Sequence, residues 1–155
     1  MIQETLKKLI GVYDFKILDV NGNVRDEFSV ENLVTNAGFA QLALLAGDAS
    51  GVPFTYIALG TSTTAPAVTD TTLTAEIVDS GLARVAGTVS RVTTTVANDT
   101  YQITTTWTAS GSKTIEEVGV FNASSEGTML SHALTTSKTI SSGETIIGTY
   151  KLKFA

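Results

Sequence analysis

Residues 12–30 read VYDFKILDVNGNVRDEFSV, and this stretch decides the fold class of the chain. The segment from Val12 to Val20 is predicted to be a strand. Asn21 and Gly22 then supply a two-residue hairpin turn, because both residues tolerate the positive φ angles that such turns require. The chain returns as a second strand from Val24 to Val30, whose predicted apolar face carries Val24, Phe28 and Val30.

The remainder of the chain extends this β pattern. Threonine is abundant and, like Val and Ile, suits strands because branching at Cβ restricts χ1. The segment from Leu82 to Val96 is predicted as one long strand with a bulge near Ser90 or Arg91, where its apolar phase shifts. Other strands are predicted near residues 54–59, 101–108, 114–121, 128–135 and 145–154. About seven or eight strands at this spacing predict a single antiparallel, sandwich or barrel-like domain that is mainly β.

Alternation within these strands identifies the expected core. Tyr101, Ile103 and Trp107 share one face of their strand, and we expect Trp107 and Phe121 to be buried. In the last strand, the apolar face carries Ile146, Tyr150, Leu152 and Phe154. Residues 60–72 form a long loop without periodicity, and loops of that length are usually functional or contact surfaces.

Two helices are predicted beside the strands. Residues 2–10 form a short amphipathic helix that Gly11 ends, with an apolar stripe of Ile2, Leu6, Leu9 and Ile10. A second helix spans about residues 37–46, with Thr35 or Asn36 at its N-cap and Gly47 at its end. The chain is therefore divided into an N-terminal arm or helix, residues 1–11, and a β-rich domain, residues 12–155.

Composition excludes several classes of protein. With 43% hydrophobic and 16% charged residues, the 155-residue chain is expected to fold as one domain with a real core. It has no cysteine, which excludes a disulfide framework and a Cys-based zinc site. The net charge of −5 argues against a nucleic-acid partner, because DNA-binding proteins carry a basic face. No stretch approaches the roughly 18 apolar residues of a membrane span.

The sequence contains no arrangement of residues that is typical of an active site. His132 is the one histidine, no G-x-S-x-G motif accompanies it, and a strand histidine is usually solvent-facing or locally hydrogen-bonded. Glu116 and Glu117 are neighbours on a strand and point to opposite faces, so they cannot form a facing catalytic pair. We expect one of them to be exposed and the other to pair with a Lys or Arg.

Cofactor and metal motifs are also missing from the sequence. The segment from Asp19 to Asn23 resembles the start of a calcium loop, but Val24 and Val30 stand where Gly and Glu are required. There is no Walker A lysine and no G-x-G-x-x-G. We therefore expect a non-enzymatic protein with no catalytic residue, no cofactor and no metal.

Several segments, in their order along the chain, resemble small virion proteins of tailed bacteriophages. They are NLVTNAG (32–38), YIALGT (56–61) with TAP (64–66) and LTAEI (73–77), EVGVFNA (117–123) with GTML (127–130), and GETII (143–147). The resemblance covers most of residues 32–148. In size and order, the chain is most similar to the trimeric head decoration proteins of long-tailed Thermus phages, and tail-fibre-like proteins are the next most similar.

This resemblance implies two hypotheses about function. In the first, homotrimers decorate the outer head surface and clamp subunits of the major capsid protein, with Ile2, Leu6, Leu9 and Ile10 contacting the capsid or a neighbouring subunit. In the second, the chain is a structural module of a tail fibre, tail tip or baseplate. Either way, we expect a virion protein that is assembled in the host cytoplasm and binds neither nucleic acid nor a membrane.

Overall fold

The computed structural model describes residues 9–154, which form ten strands and one helix. The strands are β1 (Ile10–Leu18), β2 (Val24–Glu31), β3 (Leu33–Val34), β4 (Tyr56–Gly60), β5 (Val85–Ala86), β6 (Thr88–Val92), β7 (Thr100–Thr108), β8 (Lys113–Phe121), β9 (Met129–Ile140) and β10 (Thr145–Lys153), and the helix is α1 (Asn36–Gly47). Because two of the strands have only two residues, the count exceeds the expected seven or eight.

The strands form two five-stranded sheets in which every pair is antiparallel. Sheet A has the order β2-β1-β10-β7-β6, and sheet B has the order β3-β9-β8-β4-β5. The two sheets do not close into a barrel, since each keeps two edge strands. The predicted mainly β, sandwich-like fold with one helix near residues 37–46 is confirmed.

The predicted N-terminal hairpin exists, but its turn is longer than expected. Five residues, 19–23, lie between β1 and β2, and three of them, Val20, Asn21 and Gly22, form the loop itself. It is closed by the N–H of Asp19, which donates to the carbonyl of Asn23 at 2.8 Å. Gly22 has a φ of +83°, which a glycine adopts without strain. The loop is therefore of the three-residue hairpin kind, in which the last residue is left-handed.

A bulge in β2 changes which of its side chains face the core. Ile17 pairs with Asp26 whereas Leu18 pairs with Val24, so Arg25 is an extra residue. Phe28 packs against the core as predicted, and so does Val30. The prediction for Val24 is wrong, because the bulge shifts the alternation by one residue and leaves this side chain exposed.

The core lies between the sheets and is built from the alternating residues of their inner faces. Its largest fully buried side chains in sheet A include Tyr13, Ile17, Ile103 and Tyr150. Trp107 is 2% exposed, and its indole N–H donates to the carbonyl of Ala83 at 2.9 Å. Burial of Trp107 and Phe121 is confirmed, although Phe121 belongs to a smaller cluster on the outer side of sheet B.

The segment predicted as one strand from Leu82 to Val96 is two strands in different sheets. Val85 pairs with β4 in sheet B, whereas Thr88 begins β6 in sheet A. The chain crosses between the sheets at Gly87, where a Cβ atom would lie 2.8 Å from the carbonyl oxygen of Thr104. The predicted bulge near Ser90 or Arg91 is wrong, because β6 pairs with β7 in an unbroken register from Thr88 to Val92.

Helix α1 confirms the predicted position and N-cap. The Thr35 hydroxyl accepts the N–H of Gly38 at 2.9 Å and donates to the carbonyl of Met129 at 2.6 Å, which ties the helix start to β9. A Cβ at Gly38 would overlap the Leu130 backbone, so the helix and β9 are in close contact there. The helix ends at Gly47, and Asp48 follows in an extended conformation rather than as a left-handed cap.

The predicted N-terminal helix and its stripe fall largely outside the described residues, which begin at Leu9. Ile10 and Gly11 lie in β1, paired with Lys153 and Leu152, so the assignment of Ile10 to that helix is wrong. No helix in the described part of the chain is long and apolar enough to cross a membrane.

Candidate functional site

A long irregular segment, residues 61–84, covers the outer face of sheet B. It connects β4 to β5 and includes the loop that the sequence indicated at residues 60–72. Leu73 from this segment packs against Ala58, Phe121 and Met129, which all lie on that outer face. The segment therefore adds a second, smaller apolar layer to the sandwich.

His132 lies beneath this segment because β9 alternates. The side chain of Ser131 points between the sheets, where its hydroxyl forms a hydrogen bond with the Tyr13 hydroxyl at 2.5 Å. The next residue, His132, points outward from sheet B and lies opposite Gly119 of β8. The space beside Gly119, which has no side chain, is filled by Leu73 and the Phe121 ring.

Two carboxylates hold the His132 ring. Its Nδ1 lies 2.8 Å from Oδ2 of Asp70, and its Nε2 lies 2.9 Å from Oε2 of Glu117. His132 is 1% exposed and Glu117 is fully buried. Asp70 comes from the covering segment, and Glu117 comes from β8. We call these three residues the Asp70–His132–Glu117 cluster.

Glu117 also binds the backbone of the covering segment. Its Oε1 accepts the N–H of Ala75 at 2.7 Å, and its Oε2 accepts the N–H of Thr74 at 3.1 Å. The carboxylate lies against Gly60, where an added Cβ would overlap it. One buried side chain thus connects β8, His132 and two backbone amides of residues 61–84.

The geometry favours the charged form of all three groups. Burial by itself would lower the pKa of His132, but the hydrogen bonds to Glu117 and Asp70 outweigh it and raise the pKa above its usual value. Burial would raise the pKa of Glu117, and its hydrogen bonds with His132, Ala75 and Thr74 lower it instead. The N–H of Ala67, followed by His132, lowers the pKa of Asp70.

This arrangement serves to anchor a loop. When the ring is protonated, both of its N–H groups donate to carboxylates, so neither nitrogen is available to accept a proton from a substrate.

The expectation of a solvent-facing or locally bonded His132 is wrong, because the ring is buried and its partners are distant in sequence. Glu117 does have a cationic partner, but that partner is His132 and not the expected Lys or Arg. Its neighbour Glu116 accepts a hydrogen bond from the Ser137 hydroxyl.

Arg84 provides a second anchor at the other end of the covering segment. Its guanidinium forms a two-point ion pair with Glu76, at 2.9 and 2.6 Å, and lies 3.6 Å above the Phe121 ring. It also donates to the carbonyls of Ala123 and Glu126 at 3.0 and 2.8 Å. Such fork-shaped, stacked contacts are typical of arginine at sites where its position is fixed.

An apolar groove lies between α1 and the inner face of sheet A. We call it the α1 groove, and its volume is about 450 Å³. Its apolar lining includes Leu42, Leu45, Phe54, Val89, Leu152 and Phe154. Val89 and Phe154 are each about half exposed, so the groove is open to solvent.

The residues predicted to contact a capsid or a neighbouring subunit can be followed only in part. Ile2 and Leu6 lie outside the described residues. Leu9 packs against the main core, and Ile10 is exposed at the start of β1. The structure does not bring these four residues together as a described surface.

Sequence reasoning did not find the Asp70–His132–Glu117 cluster. Its members are separated by 15 and 62 positions, and a pairing of this kind depends on which loop covers which strand. One signal was present: Glu117 and His132 each lie in a mostly apolar stretch of their strands, EVGVF and MLSHAL, which favours burial with a partner.

The described residues 9–154 contain no group of three or more His, Asp or Glu side chains arranged to hold a metal ion.

The fold and the cluster together define a two-sheet antiparallel β-sandwich protein with a covering loop fixed by buried charges. Over residues 34–151, the chain matches the family model described as podophage GP4 fiber I protein gp80. This match covers well over half of the chain, and the chain belongs to that family of phage structural proteins. No curated protein and no solved structure matched it.

Proposed function

We propose that this chain is a non-enzymatic structural module of a phage tail fibre, present in several copies in each fibre. The observation that carries the proposal is the family match over residues 34–151, because the family is described by a podophage fibre protein. The match begins within β3 and includes α1, β4 to β9, most of β10 and the covering segment, but not β1 and β2 of sheet A.

The geometry of the cluster supports a structural role. A hydrolase built on His132 would need a ring nitrogen free to accept a proton. Here both nitrogens are within 2.9 Å of carboxylate oxygens, and the ring is buried. The buried charges instead fix the covering segment, residues 61–84, onto sheet B. The module thereby has a defined outer surface for contacts.

Head decoration is the second candidate function. It is favoured by the resemblance of segments between residues 32 and 148 to head decoration proteins and by the acidic net charge of −5, which suits an outer face away from packaged DNA. In that case the partners would be the major capsid protein and further copies of the chain. The family description names a fibre, so we place the tail-fibre function first.

The partners we propose are protein chains of the virion. The acidic charge does not suit the phosphate backbone of DNA or RNA, and we propose no nucleic-acid partner, membrane partner or cofactor. Assembly in the host cytoplasm and release with the virion follow from a fibre role.

A deletion of the gene in the encoding phage tests the proposal. A tail-fibre module predicts particles with intact, DNA-filled heads that no longer adsorb to the host and lack fibres in electron micrographs. A head decoration protein predicts particles that adsorb normally but lose DNA on heating or osmotic shock. The second result would overturn the fibre proposal. Restoration of adsorption by a plasmid-borne copy is the control.

A further inference from the structure

Helix α1 is apolar except for Asn36 at its start and Gln41, whose amide donates to the carbonyl of Val52, although the helix lies at the protein surface. Its sequence, NAGFAQLALLAG, has no charged residue, and the uncharged stretch extends over residues 32–47. A helix that is apolar all round is normally enclosed by protein. Here Gly38 is the one buried residue of the described helix, while Phe39 is 50% exposed and Leu44 is 40% exposed.

The exposed side of α1 and the α1 groove lie next to each other and are of the same chemistry. Leu42 and Leu45 face the groove, and Phe39 lies about 100° around the helix from Gly38, the residue that contacts β9. Helix α1 therefore carries a half-exposed aromatic ring and also lines an apolar hollow of about 450 Å³. A continuous apolar surface of this kind marks an interaction site.

The charges around the surface indicate the partner. Each chain has a net charge of −5, so two copies repel unless they meet through an uncharged surface, and residues 32–47 provide one. Among the described residues that line the groove, Arg91 is the only charged one, and a cation at this position suits an acidic partner. A second copy of this chain meets both conditions.

The two edge strands of sheet A differ in charge, and the less charged edge lies beside the α1 groove. Strand β2 carries four charged residues in the sequence VRDEFSVE, which discourages pairing with another chain. Strand β6, the edge beside the groove, has the sequence TVSRV and one charge. The unguarded edge is therefore on the side where α1 is exposed.

We propose that this surface binds a second copy of the chain, with the Phe39 ring of one copy entering the α1 groove of the other. A knob and a hollow on the same surface allow the contact to be repeated around a closed ring or exchanged within a pair. An aromatic anchor in an apolar pocket is the usual centre of such an interface. The inference rests on the proposed function in taking a fibre to contain several copies.

Sedimentation equilibrium of the purified full chain tests this interface. Wild type is expected to self-associate, and Phe39→Glu should raise the dissociation constant on the order of 100-fold by placing a charge in the groove. Ala43→Arg is a second variant that adds bulk and charge to the exposed side of α1 without removing a packed side chain. Val78→Glu is the matched control, since Val78 is 80% exposed in the segment covering sheet B. Near-UV circular dichroism shows whether each variant is folded.

Each outcome decides for or against the proposal. Association of wild type and Val78→Glu, with folded monomers for Phe39→Glu and Ala43→Arg, supports it. A wild type that stays monomeric at several hundred micromolar overturns it, as do charge variants that associate like wild type. If wild type is monomeric and a chain lacking residues 1–8 associates, the N-terminal segment of the same chain occupies the groove, and the proposal is again wrong. This test uses pure protein, so its result is independent of where the protein lies in the virion.

Discussion

The Glu117 carboxylate lies 2.9 Å from Nε2 of His132, and the two side chains are 0% and 1% exposed. An ion pair this deeply buried stabilises a fold only when its remaining hydrogen-bonding groups have partners. Here Asp70 takes the other ring nitrogen, and the N–H groups of Thr74 and Ala75 take the other positions on the carboxylate. The pair is thus the point at which the covering segment is fixed to sheet B.

Glu117→Gln is expected to lower the free energy of unfolding by about 3 kcal/mol, because it leaves a buried imidazolium with one carboxylate fewer. The amide would also direct N–H donors towards the backbone N–H groups of Thr74 or Ala75. Glu116→Gln is the matched control, and it should change stability by less than about 0.5 kcal/mol because its contact with Ser137 is exposed. Urea unfolding of both variants makes the comparison, and equal losses would contradict the role given to Glu117.

Stability is expected to fall as the pH rises above neutrality. The pKa of His132 is raised in the folded chain, so its contribution is complete below the ordinary histidine value of about 6.5 and is lost as the pH rises through the folded-state pKa. The pKa values of Asp70 and Glu117 are lowered, so their contributions are present above their ordinary values, near about 4, and are lost in acid. Stability should therefore be greatest near about pH 5–6.

The free energy of unfolding in urea, compared at about pH 6 and about pH 8.5, measures this dependence. Tyrosine ionisation does not contribute over this range, because burial raises the pKa values of Tyr13 and Tyr101 further above their ordinary value of about 10. His132→Gln should be less stable than wild type at the lower pH and should lose little more at the higher one. A wild type with the same stability at both pH values would show that the cluster does not titrate as described.

Trp107→Ala is expected to cost about 3–5 kcal/mol, since it removes the largest side chain from the core between the sheets. It also leaves the carbonyl of Ala83 without its indole donor. Val20→Ala, at an exposed position in the hairpin loop, serves as the control and should alter stability by less than about 0.5 kcal/mol. A Trp107→Ala variant that melts with wild type would disprove the burial of this residue.

Local patterns predicted much of the fold. Alternation placed Tyr101, Ile103 and Trp107 on one face, and the capping chemistry of Thr35 located α1 within about one residue of its observed start. These features depend on interactions between near neighbours in sequence. The crossing of the chain between the two sheets at Gly87 depends instead on the position of β7. The alternation of residues within one segment carries no information about that position.

The cluster was beyond prediction for a similar reason. Asp70 lies in a loop with no periodic pattern, and its contact with His132 depends on the path of residues 61–84 across sheet B. The sequence placed Glu116 and Glu117 on opposite faces by simple alternation, but the register of β8 shifts between Ile115 and Glu117, so the alternation on which that prediction rests is interrupted at Glu116. Which face is covered by other residues is a property of the complete fold.

Removal of residues 1–8 tests the predicted N-terminal arm. The remaining chain, which begins at Leu9, keeps all ten strands and should melt within a few degrees of wild type, since Leu9 still packs on the core. If residues 1–8 contact a neighbouring virion protein, as their stripe of Ile2 and Leu6 predicts, the truncated chain will fail to enter virions when supplied from a plasmid to phage that lack the gene. Unfolding of the truncated chain would place the segment in the domain core, and normal incorporation would refute the arm.

Immunogold electron microscopy of intact virions tests the fibre account most directly. A short epitope inserted between Val20 and Asn21 lies in an exposed hairpin loop, where insertions are tolerated. Normal adsorption of the tagged phage, with untagged phage as the labelling control, shows that the insertion is harmless. The account predicts gold particles on the tail fibres and none over the head. Gold distributed over the head surface would contradict it and would establish the decoration function instead.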